Sequence, residues 1–213
     1  MPEPDRVVEV PLRRWDRWLA GFAERHGPWS ALRDQGAGGW RLQAADGSTA
    51  LVRDPAWMVH VRPGRAGGPG PDGLAEATPV YGVLLIRRAG YAVAAFEGGT
   101  QIAHKVGSRH IHGRTAAGGW SQQRYARRRA NQADEIVLAA AEHATRIMGP
   151  GPDLDFMVTG GDRPLVAAAL SELPPALAGL PVGAHLGIGT PDSAVLRGVP
   201  DRVLVVQVQL PAG

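Results

Sequence analysis

The 213-residue sequence contains no cysteine. Without a thiol the chain can form no disulfide, no thiolate zinc site and no cysteine nucleophile. The N-terminus lacks the basic start and apolar stretch of a signal peptide, and no run approaches the roughly 18 apolar residues that a membrane helix needs. We therefore expect a soluble, cytoplasmic protein that does not associate with a membrane.

Acidic residues are absent from one long segment. Between Glu97 and Asp134 there is no aspartate or glutamate, yet the segment holds seven of the 23 lysine and arginine residues. The rest of the chain has 16 basic and 20 acidic residues. Positive charge is thus concentrated in one part of the chain, as is typical of proteins that bind polyanions. The candidate RNA-binding residues are Lys105, Arg109, Arg114, Arg124, Arg127, Arg128 and Arg129.

The basic segment surrounds a glycine-rich turn, Arg114–Gln123. From Thr115 to Gly119 no side chain is larger than threonine, which allows the backbone to approach a ligand closely. The glutamines that follow carry amides, which neither titrate nor attack but can orient water or a carbonyl by hydrogen bonding. The candidate catalytic residues are therefore Gly118, Gly119, Gln122 and Gln123, and their reaction would need further polar groups from a partner.

Apolar periodicity and turn residues divide the chain into three parts. Residues 1–62 are predicted to form a small unit, with a helix at Pro11–His26 and strand pieces within Gly39–Arg53 and Trp57–Arg62. Residues 63–78 are rich in glycine and proline, which predicts a mobile linker or exposed loop. Residues 79–213 are predicted to form the catalytic domain.

The pattern within residues 79–213 is three strands, one long helix, and then alternating strands and helices. This order predicts an α/β fold with a ribonuclease H-like mixed sheet and flanking helices. The predicted strands are Val80–Ile86, Tyr91–Phe96, Gln101–Val106, Leu154–Thr159, Val182–Leu186 and Arg202–Leu210, and the predicted helices are Gln122–Met148 and Arg163–Leu173.

The long helix carries its arginines at the wrong end for stability. A helix start has partial positive charge, so Arg124, Arg127 and Arg128 in the first turns oppose the macrodipole. Phosphate binding would offset this cost, because guanidinium groups bind phosphate oxygens and release counterions. A solvated arginine face is the alternative reading.

Other sites have weaker support. His104, His110 and His112 lack a nearby carboxylate and fit zinc catalysis poorly, so we expect no metal and no cofactor. Thr159–Asp162 joins a strand to a helix, and Asp162 as N-cap with Pro164 in the first turn explains it more simply than a phosphate site. A two-metal nuclease would need acids that Tyr81–Arg88 lacks, and there is no Gly-x-Ser-x-Gly elbow.

Three tryptophans, Trp15, Trp18 and Trp29, lie near Arg13, Arg14 and Arg17. Such a combination can stack on bases. The helical spacing of the first two favours packing between the small unit and the main domain instead.

The segment Gly118–Arg129 resembles the part of archaeal and eukaryotic class-one release factors in which Gly-Gly-Gln precedes Ser and an Arg-Phe-Ala-Arg helix start. The strands at Tyr81–Ile86 and Tyr91–Phe96 also resemble the central domain of those proteins. Trp120 occupies the position of the release-factor glutamine, and glutamine follows two and three places later. This pattern is similar to the Vms-type release factors of ribosome-associated quality control, particularly their actinobacterial branch.

The resemblance implies a peptidyl-tRNA hydrolase that acts as a monomer in ribosome rescue or quality control. Its glycine-rich turn would enter the peptidyl transferase centre of the large ribosomal subunit and cleave the ester between nascent peptide and tRNA. Gln122 is the first choice for the water-orienting residue and Gln123 the second; ribosomal RNA and the terminal ribose hydroxyl of peptidyl-tRNA would supply the other polar groups. A non-catalytic RNA-binding module with the same fold remains the alternative.

Overall fold

The structure is a computed structural model that describes residues 6–108, 121–149 and 153–211, with the backbone alone for residues 121–132. The chain forms two compact units. One contains the residues up to Pro79 together with those from Val199 onward, and the other contains Val80–Gly198. None of the described helices is long and apolar enough to cross a membrane.

The first unit is built on a five-stranded antiparallel sheet with the order β1-β10-β4-β3-β2. Its strands are β1 (Arg6–Pro11), β2 (Trp29–Asp34), β3 (Gly39–Ala44), β4 (Thr49–Arg53) and β10 (Val205–Leu210). Its helices are α1 (Trp15–His26) and α6 (Val199–Val203).

Side chains alternate across this sheet as period-two patterning requires. Leu42, Val52 and Val208 are fully buried on one face. Arg41 and Arg53, on neighbouring positions of the same strands, are exposed. The sheet therefore has one apolar face, which needs a cover, and one solvated face.

The structure contradicts the first of the two alternatives predicted for residues 63–78, a mobile linker or an exposed loop. The segment contains 3₁₀ turns at Pro63–Arg65 and Asp72–Glu76. The indole N–H of Trp15 donates to the carbonyl of Pro71, and Leu74 is buried. The prediction failed because proline and glycine here support tight turns against α1 rather than an open chain.

The predicted strand at Trp57–Arg62 is also wrong. The chain forms a 3₁₀ turn at Ala56–His60, in which Trp57 is buried and its indole N–H donates to the carbonyl of Val205 at 3.3 Å. A short turn that buries one large apolar side chain can contain as many apolar residues as a short strand, so the sequence pattern does not distinguish the two.

The composition of the two units also differs from the prediction, which placed all residues from 79 onward in one domain. The last strand, β10, pairs with β1 and β4 in the sheet of the first unit. Residues 79–213 therefore do not form one compact unit, because the final strand returns to the N-terminal sheet. The sequence analysis identified neither β1 nor β2 as a strand.

The second unit contains a mixed sheet with the order β7-β6-β5-β8-β9. Its strands are β5 (Val80–Arg87), β6 (Gly90–Glu97), β7 (Thr100–Ser108), β8 (Phe156–Gly161) and β9 (Val182–Leu186). Its helices are α2 (Ser121–Met148), α3 (Arg163–Ser171), α4 (Pro175–Ala178) and α5 (Ser193–Arg197).

This topology confirms the predicted α/β fold. Strands β5 to β7 form an antiparallel meander, and β8 and β9 add in parallel on the other side of β5. Counted within this unit, the strand order is 3-2-1-4-5, which is that of a ribonuclease H-like sheet. The central position of β5 explains its continuous apolar run, since both of its faces are buried.

Candidate functional site

The glycine-rich turn lies largely outside the described residues. This holds for Gly118, Gly119, Arg109 and Arg114, and for His110 and His112. The structure describes the backbone, but not the side chains, of Gln122, Gln123, Arg124, Arg127, Arg128 and Arg129. It places both glutamines in the first turn of α2, which begins at Ser121.

Helix α2 is anchored through its second half. The buried side chains include Ile136, Ala140, Ala144 and Met148, which pack in one apolar cluster with strands β5 and β6 and helix α3. Met148 lies over Gly82, where a Cβ atom would stand 2.6 Å from the methionine sulfur. A larger residue than glycine at position 82 would therefore force the Met148 side chain to move.

The helix is longer than the surface on which it packs. Its 28 residues correspond to about 42 Å, whereas an eight-residue strand of the sheet covers about 26 Å. Glu135 and Ile136 lie beside Gly90, where β6 begins. The 14 helical residues before Glu135 correspond to about 21 Å of helix.

A tyrosine–histidine contact fixes the helix near this point. The Tyr91 hydroxyl lies 3.1 Å from Nδ1 of His143, and the same nitrogen lies 2.8 Å from the Ala139 carbonyl oxygen. The Tyr91 ring lies so close to Gly107 that a Cβ there would be 2.4 Å from two ring carbons. Burial, and then the charge of Glu142, raise the pKa of the Tyr91 hydroxyl.

A cleft of about 250 Å³ lies at the same place. It is lined by the ends of β6 and β7 and by α2, with Ser108 and Glu135 as its polar residues beside Tyr91. Nδ1 of His143 is already occupied by the tyrosine and its own helix. Nothing in this arrangement resembles a side-chain nucleophile paired with a base.

Lys105 is the predicted RNA-binding residue whose side chain the structure describes. It is exposed on β7, the edge strand, and pairs in register with Val93. Val93 belongs to the core that α2 covers. Because paired residues share a sheet face, Lys105 lies on the α2 side of the edge.

The Thr159–Asp162 segment is a structural junction. Asp162 is the N-cap residue of α3 as predicted, but its side chain makes no capping hydrogen bond. Its carboxylate lies 3.7 Å from Nε of Arg87, and Arg87 donates to the Ile188 carbonyl at 2.8 Å. Gly161 has a positive φ of 93°, which explains the glycine without a phosphate ligand.

Trp15 and Trp18 have no ring face available for a base. Trp15 is fully buried, and its ring stacks on that of Trp18 with centroids 5.1 Å apart. The other face of Trp18 stacks on Phe22 at 5.6 Å. The base-stacking reading therefore fails for both, and they belong to an aromatic stack along α1.

Among the described residues no group of three histidine or acidic side chains is arranged to hold a metal ion. His104 is exposed on β7, opposite Ala94. The cluster of Tyr91, Gly107 and His143 was missed by the sequence analysis. Its one sequence signal is a glycine within a strand, which marks a close approach of another group.

Comparisons with known proteins identify the family. A family model described as Actinobacteria/chloroflexi VLRF1 release factor matches residues 79–209. Among solved structures, the crystal structure of the archaeal translation termination factor aRF1 is similar at 14% identity with a TM-score of 0.38, covering 51% of this chain and 30% of the archaeal one. No curated protein sequence matches. Because the family model spans well over half of the sequence, the chain belongs to the actinobacterial and chloroflexi VLRF1 release factor family.

Proposed function

We propose that this release factor hydrolyses peptidyl-tRNA on the large ribosomal subunit, in ribosome rescue or quality control. The family match over residues 79–209 carries the proposal, because that range contains the complete glycine-rich turn and both glutamines. The protein would act as a cytoplasmic monomer, with ribosomal RNA and peptidyl-tRNA as partners and without metal or cofactor.

The form of α2 supports this role. The glycine-rich turn leads directly into the first turn of this 28-residue helix, and about 21 Å of helix precede Glu135. A helix is about 10–12 Å wide with its side chains, so its start can enter a cavity that would exclude the whole unit. Anchoring at Tyr91 and Met148 would keep the helix axis fixed while its start is inserted.

The charge pattern supports insertion into RNA. The candidate contacts are Lys105, Arg109, Arg114, Arg124, Arg127, Arg128 and Arg129, and the segment that contains them has no acidic residue. Each guanidinium can form two parallel hydrogen bonds to a phosphate. Binding by these residues should weaken steeply with salt, since every phosphate contact releases counterions.

In the proposed reaction the side-chain amide of Gln122, or of Gln123, positions a water molecule against the ester. The water oxygen bonds to the carbonyl carbon while the bond from that carbon to the tRNA ribose oxygen breaks. One water proton passes to the ribose oxygen, by way of the adjacent ribose hydroxyl. Gly118 and Gly119 would allow the backbone to approach the reacting ester closely.

The test compares Gln122→Ala, Gln123→Ala and the double variant in single-turnover release of peptide from 50S-bound peptidyl-tRNA. Loss of a group that orients the attacking water should reduce the rate by about 100-fold or more. Gln43→Ala is the matched control, because Gln43 is exposed on β3, in the other compact unit. Wild-type release by the double variant would contradict catalysis by the glutamines, whereas no release by the wild-type protein would favour a non-catalytic ribosome-binding module.

A further inference from the structure

One side of helix α1 carries arginines that have no acidic partner. Arg14 precedes the helix as its N-cap residue, and Arg17 and Arg25 follow on the same side. All three are exposed, and no ion pair joins any of them to an acid among the described residues. Glu24 precedes Arg25 along the helix, and Asp201, the ion-pair partner of Arg13, also lies within electrostatic reach of Arg14. Because Arg13 neutralises Asp201, the surface keeps a net positive charge.

Other arginines of the same unit behave differently. Arg13 pairs with Asp201, Arg33 with Asp54 at 2.5 Å, and Arg41 with Asp34 at 2.7 Å. Acidic partners are therefore available within this unit, yet the three arginines on α1 do not use them. Unpaired guanidinium groups keep their full capacity to bind an anion.

Gly21 lies at the centre of this surface, four residues after Arg17 and four before Arg25. Glycine inside a helix is unfavourable relative to alanine, so it calls for a reason. The core does not supply one, because the nearest neighbours of a Cβ at Gly21 would be the guanidinium atoms of Arg25, with Nη1 at 3.2 Å. The Arg25 guanidinium therefore lies over Gly21, and glycine at this position lets it approach the helix backbone.

The aromatic residues beside the arginines decide what kind of polyanion fits. Proteins that bind single-stranded nucleic acid use open aromatic faces on which bases stack. Trp18 lies next to this surface, but Trp15 and Phe22 cover both faces of its ring. Charge without a stacking platform fits the phosphate backbone of a duplex, which is recognised by shape and phosphate contacts.

We propose that Arg14, Arg17 and Arg25, arranged around Gly21, bind the phosphate backbone of double-stranded RNA. This contact would be separate from the glycine-rich turn and would add a second point of attachment. It rests on the proposed function only in taking RNA, rather than another polyanion, as the partner.

The test measures binding of the full-length protein to an RNA duplex of about 16 base pairs by fluorescence anisotropy at several salt concentrations. The variant Arg14→Ala/Arg17→Ala/Arg25→Ala is compared with Arg33→Ala/Arg41→Ala/Arg53→Ala, which removes the same charge from the sheet of the same unit. Between 50 and 200 mM salt, wild type should lose about 40-fold more affinity than the first variant if all three arginines contact phosphate. The second variant should keep the wild-type salt dependence.

Gly21→Gln adds an uncharged side chain with good helix propensity. It should raise the melting temperature and weaken duplex binding several-fold. Because the new side chain would displace the Arg25 guanidinium from its place over position 21, unchanged duplex affinity would contradict the part of Arg25 in the contact.

Three results would overturn the assignment. The first is an equal loss of duplex binding in the two triple variants. The second is that binding of a single-stranded RNA depends on the three arginines more than binding of the duplex does, and the third is that the α1 variant loses binding to polyglutamate as much as it loses binding to the duplex. Peptide release at saturating protein separates this proposal from the release mechanism. The α1 variant should keep the maximal release rate, whereas Gln122→Ala/Gln123→Ala should lose release and keep duplex binding.

Discussion

Replacing Gly107 by alanine should destabilise the unit that carries α2. The new Cβ would lie 2.4 Å from two carbons of the Tyr91 ring and 2.6 Å from its hydroxyl oxygen, whereas ordinary contacts begin near 3.4 Å. The ring must therefore move by about 1 Å, an overpacking that costs about 1–3 kcal/mol. The move also disturbs the bond to His143, which contributes about 0.5–1.5 kcal/mol.

We expect Gly107→Ala to lower the free energy of unfolding by about 2–4 kcal/mol in urea denaturation followed by circular dichroism. Gly99→Ala is the matched control, since no atom lies within 4 Å of a Cβ at that position. It should change stability by less than about 0.5 kcal/mol.

A double-mutant cycle isolates the cause. In a Tyr91→Val background the aromatic ring is gone, so Gly107→Ala should cost less than about 0.5 kcal/mol, giving a coupling energy of at least about 1.5 kcal/mol. If the two substitutions add without coupling, the packing of Tyr91 on Gly107 does not hold this region together and the reasoning is refuted.

Two further predictions concern a glycine of the second unit and an ion pair of the first unit. Gly161→Ala should destabilise by about 2 kcal/mol or more in the same urea assay, because φ is 93° and a Cβ would lie 2.1 Å from the Ile86 carbonyl oxygen; a neutral result would contradict this. Arg13→Ala should reduce the loss of stability on acidification, measured as melting temperature against pH. The hydrogen bond from Arg13 lowers the pKa of Asp201, so this stabilisation is present above the unfolded value of about 3.9 and is lost as pH falls through the lowered folded value. Parallel pH profiles of wild type and variant would contradict this linkage.

Much of the second unit could be predicted from local signals. Strands β5 and β6 are continuous apolar runs separated by a short turn that ends at Gly90, and the end of α2 is marked by Gly149. These signals act within a few residues, which is why the order of elements and the fold class followed from them.

The domain boundary could not be predicted because it depends on distant pairing. Strand β10 pairs with β1 across about 200 residues of sequence, so no local pattern links them. The segment at residues 63–78 looked too polar to fold, yet it contributes one buried leucine and accepts one indole hydrogen bond. Such single contacts leave no periodic signal.

The candidate site likewise has a part that local sequence signals predict and a part that depends on tertiary packing. The glycine-rich turn and its glutamines are contiguous, so the sequence alone could propose them as candidates. The anchor formed by Tyr91, Gly107 and His143 depends on strand register and on the way α2 crosses the sheet. Residues that meet only through tertiary packing cannot be paired from one sequence.

The most direct test of the proposed function measures hydrolysis of peptidyl-tRNA by the wild-type protein with and without 50S subunits. The side-chain amides of Gln122 and Gln123 neither titrate nor attack, so the proposed chemistry should depend on ribosomal RNA. We predict rapid peptide release from 50S-bound peptidyl-tRNA and no release above background from free peptidyl-tRNA. Equal rates on the two substrates, or no release from either, would contradict a ribosome-dependent release mechanism.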